Sequence, residues 1–232
     1  MVPRALLSLA LLALTTLCAC GGDDESGAGG SGGGWSASCD PDPLKTGLVA
    51  EQTGVSVDVA DCPILKYSAK YGEPDPMLVK AIIYGESRFD YAATACPNLP
   101  CGTPDGWTEA ESYCYSMMQV VPACGSPSGL GMKPDGHPNL TTDPSSPDWP
   151  TSIYNPEVNV EIGIAGIAGN RDQVEQEFPG CTEDQYTLMA IGNYNSYGST
   201  KSCTEYNTDY VDYIRPGYQE YSAAAGWPAH AY

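Results

Sequence analysis

"KAIIYGESRFD", Lys80 to Asp90, sets an apolar run, Ala81-Ile82-Ile83-Tyr84, almost directly against a carboxylate, Glu86. The residues upstream say what the run is. Asp75 can cap a helix whose first position is Pro76, and from there to about Arg88 the only charge before Glu86 is Lys80. A helix that is apolar almost all round is a buried helix. Leu78, Ile82 and Glu86 follow i, i+4, i+8 spacing and lie near one face. Where that face meets the core, Glu86 sits at the rim. Partial burial disfavours its charged form, and the negative end of the helix dipole disfavours it further. A carboxylic acid still protonated near neutral pH is what a general acid requires. The stretch alone leaves other readings open: Glu86 turned to solvent at the helix end, or paired with Arg88 or Lys80.

Helices dominate on both sides of this stretch. Asp61 as cap, Pro63 in the first turn and Gly72 as the closing residue predict a helix just before it. A short helix is expected over Tyr113 to Val121, stopped by Pro122. Asn155-Pro156 opens a long helix to about Phe178. Its Gly163, Ala165, Gly166, Ala168 and Gly169 imply close packing by a neighbour, since the glycines cost helix propensity. Thr182 to Gln185 has capping-box form and starts a helix to about Gly192-Asn193. A last helical stretch runs from Thr208 to Ile214, with Pro216 as a break. "GVSVDVA", Gly54 to Ala60, is the sole strand-like alternation. The Pro- and Gly-rich loops at Cys96–Tyr113 and Ala123–Tyr154 have room for a small ribbon. The fold class expected is mostly α, with long disulfide-stapled loops.

The N-terminus reads as an export signal. Arg4 and the apolar run Ala5–Leu17 make a signal peptide, residues 1–19, too short for a permanent span. Leu17-Cys18-Ala19-Cys20 resembles the lipobox of bacterial lipoproteins, which implies lipidation of Cys20 and anchoring in a lipid bilayer. Residues 20–38, largely Gly and Ser, form a flexible tether, and the remaining domain covers 39–232, with its motif core at 61–222. Gly21 after the lipidated Cys resembles the outer-membrane sorting signal, so the expected place is the outer membrane, facing the periplasm, with the inner membrane or the cell surface as the alternatives.

Of ten cysteines, Cys39, Cys62, Cys96, Cys101, Cys114, Cys124, Cys181 and Cys203 remain beyond the tether start. An even set in an exported chain points to disulfides. Neighbour pairing gives Cys39–Cys62, Cys96–Cys101, Cys114–Cys124 and Cys181–Cys203. With two histidines and no CxxC spacing, no metal site is expected. The net charge of −19 argues against nucleic acid, which binds through Lys and Arg. No phosphate loop or GxSxG motif is present, and His137 and His230 sit in loop contexts that offer little as catalytic bases. Glycoside chemistry remains, because carboxylates can perform it. The 16 Tyr against 2 Phe suit sugars, since a Tyr ring stacks while its hydroxyl bonds.

Five segments together resemble the lytic transglycosylase domain of the soluble type, the SLT family with a goose-lysozyme-like fold. They are "YGEPDPMLVKAIIYGESRF" (Tyr71 to Phe89), "YSMMQVVP" (Tyr115 to Pro122), "NPEVNVEIGIAGI" (Asn155 to Ile167), "AIGNYNSYG" (Ala190 to Gly198) and "DYVDYI" (Asp209 to Ile214), in the family's order. The resemblance implies a peptidoglycan substrate, no cofactor and a single catalytic carboxylate, Glu86. It implies that Ser87 positions Glu86 or a sugar hydroxyl, and that Gln119 and the backbone near Met118 line the sugar site. Tyr194 would reach toward the substrate N-acetyl group or Glu86, and Asn195 would hold the turn presenting it. The family's Glu before its final Tyr-Val has only Glu205 near, out of register. Ser116 stands where the family has Gly, and the stretches 94–114 and 123–154 look like insertions. A monomer is expected. A hydrolase on the same fold, using a second carboxylate such as Asp90 or Glu205, and a non-catalytic wall binder are the competing functions.

Overall fold

The computed structural model describes residues 43–73, 75–95, 101–126, 129–196, 198–230 and 232. The signal, the tether, the lipidation candidate Cys20, and Cys39 and Cys96 lie outside the described residues. The fold class is the expected one: among the described residues there are five α-helices, α1 (Asp61–Tyr71), α2 (Pro76–Ser87), α3 (Pro156–Glu177), α4 (Glu183–Asn195) and α5 (Thr208–Ala225), with a two-stranded ribbon of β1 (Thr94–Ala95) and β2 (Cys114–Tyr115).

α2 is the central helix. Asp75 caps it by accepting from Met77 N at 3.1 Å, Pro76 leads it, and every residue from Pro76 to Ile83 is buried. α5 packs along α2, while α3 packs on α1 and α4. Asn155 and Thr182 cap α3 and α4 as their sequences predict. Asp61 does not cap α1. It lies inside the first turn, its carboxylate 2.7 Å from Lys80 Nζ. Lys80 is fully buried and also meets Asp58 at 2.7 Å and the Leu44 carbonyl at 2.8 Å. The one charge in the apolar run therefore ties the segment before α1 to the core.

Three expectations are corrected. α5 does not break at Pro216 but runs on to Ala225. Proline removes one helical hydrogen bond, to the carbonyl of Asp212, and both residues are exposed, so water can take the bond. The buried stripe Tyr210, Val211, Ile214, Gly217, Tyr218 and Tyr221 continues unbroken through it. The short helix over Tyr113–Val121 is instead β2 followed by a tight loop. Tyr115 and Val120 exchange backbone bonds at 3.0 and 3.1 Å, and Ser116 and Gln119 take left-handed φ of 63° and 48° between them. "GVSVDVA" makes one isolated bridge, Val49 with Ser56, and no strand.

The cysteines pair partly as expected. Cys181–Cys203 forms; Cys96–Cys101 and Cys114–Cys124 do not, because Cys101 bonds Cys124. The ribbon explains the exchange: Cys114 is buried in β2 opposite Ala95, while Cys124 ends a 3-10 turn, Pro122–Cys124, beside Cys101. The crosslink joins the two long loops. His137 Nδ1 and Glu111 Oε1, 2.9 Å apart, join them again, and Trp107 stacks on His137. His230, in the tail beyond α5, donates its backbone N–H to the Tyr218 hydroxyl at 2.8 Å.

Candidate active site

Glu86 is in the last turn of α2, partly buried. Its carboxylate accepts a hydrogen bond from the Tyr210 hydroxyl, in the first turn of α5. It pairs with neither Arg88 nor Lys80: Lys80 is spent on Asp58 and Asp61, and Arg88 bonds the Tyr84 carbonyl and Tyr213. Burial pushes the Glu86 acid up to about 7, against the Tyr210 hydrogen bond, which favours the ionised form. Burial and the nearby Glu86 charge hold the Tyr194 and Tyr210 hydroxyls well above the ordinary phenol range, so both stay donors.

Beside Glu86 stands the loop 116–119, fastened from every side. Ser87 Oγ donates to the Met117 carbonyl at 2.9 Å. Tyr194 Oη, from the end of α4, donates to the Met118 carbonyl at 2.6 Å. Asn159 on α3 accepts from Met118 N at 2.8 Å and donates to the Tyr115 and Ile153 carbonyls at 2.9 and 3.2 Å. Gln119 Nε2 donates to the Ser116 carbonyl at 2.7 Å, and its buried Oε1 has no partner among the described residues. Met118 fills the space over Gly163, where a Cβ would fall 2.3 Å from its sulfur and 2.9 Å from its own Cβ. Ser116 is fully buried with its side chain turned inward, which explains how it replaces a glycine without adding a side chain to the surface of the loop.

The structure thus joins Glu86, Ser87, Met118, Gln119 and Tyr194 in one group. Ser87 and Tyr194 hold the loop and make no hydrogen bond to Glu86. Asn195 is one step removed: exposed, it accepts from Asn207 Nδ2 at 3.1 Å, and Asn207 caps α5 by accepting from Tyr210 N at 3.2 Å. Glu205 is outside the group, exposed on a turn whose backbone bonds Lys201 and Ser202. Asp90 accepts from Ala92 N at 2.8 Å in a local turn. Among the described residues no other carboxylate joins the bonds around Glu86, and no cluster of His, Cys, Asp and Glu suits a metal ion.

Sequence reasoning missed Tyr210 as a site residue. The sequence offered its place, three residues after the helix cap Asn207 at the start of the buried stripe of α5, but nothing local that ties it to Glu86. Chemically, a lone acid protonated to about pH 7 can donate a proton to a leaving oxygen and then, as a carboxylate, take one back. Among known protein families, the transglycosylase SLT domain matches residues 63–209, more than half of the 232-residue chain. No curated protein matches the chain.

Proposed function

Because the chain belongs to the transglycosylase SLT family, a group of peptidoglycan-cleaving lytic transglycosylases with a lysozyme-like helical fold, we propose that it cleaves the β-1,4 bond between N-acetylmuramic acid and N-acetylglucosamine, with Glu86 as the single acid and base. Glu86 gives its proton to the glycosidic oxygen, and the bond from that oxygen to the muramyl C1 breaks. The substrate's own N-acetyl group stabilises the positive charge developing at C1, as in the glycosidases that lack a second carboxylate. The Glu86 carboxylate then takes the proton of the muramyl C6 hydroxyl as that oxygen bonds C1. The product is a 1,6-anhydro sugar, no water is consumed, and Glu86 regains its proton.

The observation carrying this reading is the acid of Glu86 raised to about 7 beside the rigid 116–119 loop, with no second carboxylate bonded into the group among the described residues. Digestion of purified peptidoglycan followed by mass spectrometry is the test. Anhydro-muropeptides are expected, and Glu86→Gln, which keeps shape but has no acid, should lower turnover about 10²- to 10⁴-fold with the fold intact. Reducing-end muropeptides would replace the reading with hydrolysis; wall binding without products would replace it with a non-catalytic role. We further propose that the protein is exported and held at the outer membrane by lipid on Cys20, a reading that rests on Leu17–Cys20 and the Gly/Ser-rich stretch after it.

A further inference from the structure

Arg88 follows Glu86 by two residues and closes α2. Its backbone is left-handed, φ 55°, and Phe89 repeats this at φ 64°. Two consecutive residues with side chains in that region are disfavoured and point to a local purpose. Phe89 is fully buried against Tyr221, and Thr53 Oγ1 donates to the Arg88 carbonyl at 2.8 Å, so the turn is held. It folds the guanidinium back over the helix end. The group stacks on the Tyr84 ring, 4.0 Å from its centroid, donates to the Tyr84 carbonyl, and donates to the Tyr213 hydroxyl at 2.9 Å. The Tyr213 hydroxyl passes a bond on to the Gly85 carbonyl at 3.2 Å. Gly85 permits this approach, since a Cβ there would lie 3.0 Å from Ile214 and 3.3 Å from the Tyr213 ring.

The cation so oriented meets no anion among the described residues. Arg171, Arg215, Lys66, Lys70 and Lys80 pair with carboxylates, whereas among the described residues Arg88, like Lys45, Lys133 and Lys201, pairs with none, and of these four it is the one next to Glu86, in a chain with 29 Asp and Glu. Its bonds to Tyr84 and Tyr213 leave further N–H donors. Tyr213 is 50% exposed, one of two large hydrophobic residues so open among the described residues. Its ring lies 6.4 Å from that of Tyr210, whose hydroxyl bonds Glu86. The pair therefore borders the catalytic acid.

We propose that Arg88 and Tyr213 form a carboxylate-recognising edge of the glycan cleft, Arg88 pairing with an acidic group of the peptide stems carried by peptidoglycan and Tyr213 stacking on the adjoining sugar. The proposal rests on the peptidoglycan reading above. A guanidinium binds carboxylates through paired, charge-assisted bonds, and one already held in place gives up less freedom on binding. It also offsets the repulsion an acidic substrate meets from a chain of charge −19.

The test compares glycan strands with intact stems and the same strands stripped of stems by an amidase. Wild type should favour the stem-bearing strands by about tenfold in kcat/KM, the size of one charge-assisted bond. Arg88→Gln should erase that preference through KM, and Arg88→Lys should restore part of it, keeping charge without the fork. Equal wild-type rates on the two strands overturn the proposal, whether or not the variants fold. A loss in Arg88→Gln that is equal on both strands also overturns it, marking Arg88 as a support for the end of α2. A wild type inactive on both overturns the proposed function itself, and this proposal with it.

Discussion

Glu86 and Tyr210 are 124 residues apart in sequence and share one hydrogen bond. Their opposition sets the pH behaviour. Burial raises the acid and the Tyr210 hydroxyl lowers it, and burial is the larger effect, leaving the group near 7. The protonated form is the one that starts the reaction, so kcat/KM should fall about tenfold per pH unit above 7. Tyr210→Phe removes the bond that favours the carboxylate. The acid then rises further, and the alkaline limb should move to higher pH. A pH–rate profile of the two proteins checks this; a limb that moves down or stays would remove Tyr210 from the control of Glu86. Glu86 was legible in the sequence because a carboxylate at i+8 on an apolar stripe is a local pattern. Its partner was not, because a contact across 124 residues leaves no periodicity to read. Ser87 shows the same limit from the other side: the resemblance implied that it positions Glu86 or a sugar hydroxyl, and only the folded chain brings its hydroxyl to the Met117 carbonyl.

The elements differ in how far local chemistry governs them. α2, α3 and α4 begin where Asp75, Asn155 and Thr182 accept from their own first turns. Those caps act within a few residues, so sequence suffices. α5 disregards Pro216, because burying Gly217, Tyr218 and Tyr221 on α2 outweighs one hydrogen bond lost at the surface. The loop 116–119 has the opposite history. Its residues suit a helix, but pairing of β2 with β1 and the bonds from Asn159 hold Ser116 and Gln119 in left-handed backbone. The small residues of α3 do imply a close neighbour, and at Gly163 that neighbour is Met118. Gly163→Ala should therefore destabilise the protein by about 1–3 kcal/mol through overpacking, although alanine favours helix. Because Met118 carries the loop, turnover should fall as well. Urea denaturation and the digestion assay check both; a more stable variant of normal activity would mean that the contact yields freely.

At the scale of the molecule, long-range ties gather the parts around the site. Lys80, placed with Asp58, Asp61 and Leu44, locks the segment before α1 onto α2, and removing a buried cation of this kind leaves its carboxylates uncompensated. Cys101–Cys124 and the His137–Glu111 pair bind the two inserted loops to each other. Among the described residues no helix is long and apolar enough to cross a membrane. The anchoring proposed from Leu17–Cys20 is tested on Cys20: labelled fatty acid should enter the protein, and Cys20→Ala should abolish both the label and recovery with the membrane fraction. Label retained in that variant would place the modification elsewhere. By itself the sequence determined the helical class, the caps of α2, α3 and α4, and the buried α2 with a carboxylate at its end, since each follows from residues a turn or two apart. Tertiary structure alone decided that Tyr210 meets that acid, that "SMMQ" is a loop and not a helix, that Cys101 takes Cys124, and that Arg88, two residues after Glu86, pairs with no carboxylate among the described residues. Each of these is a choice among distant partners, settled by which surfaces close on one another when the helices pack.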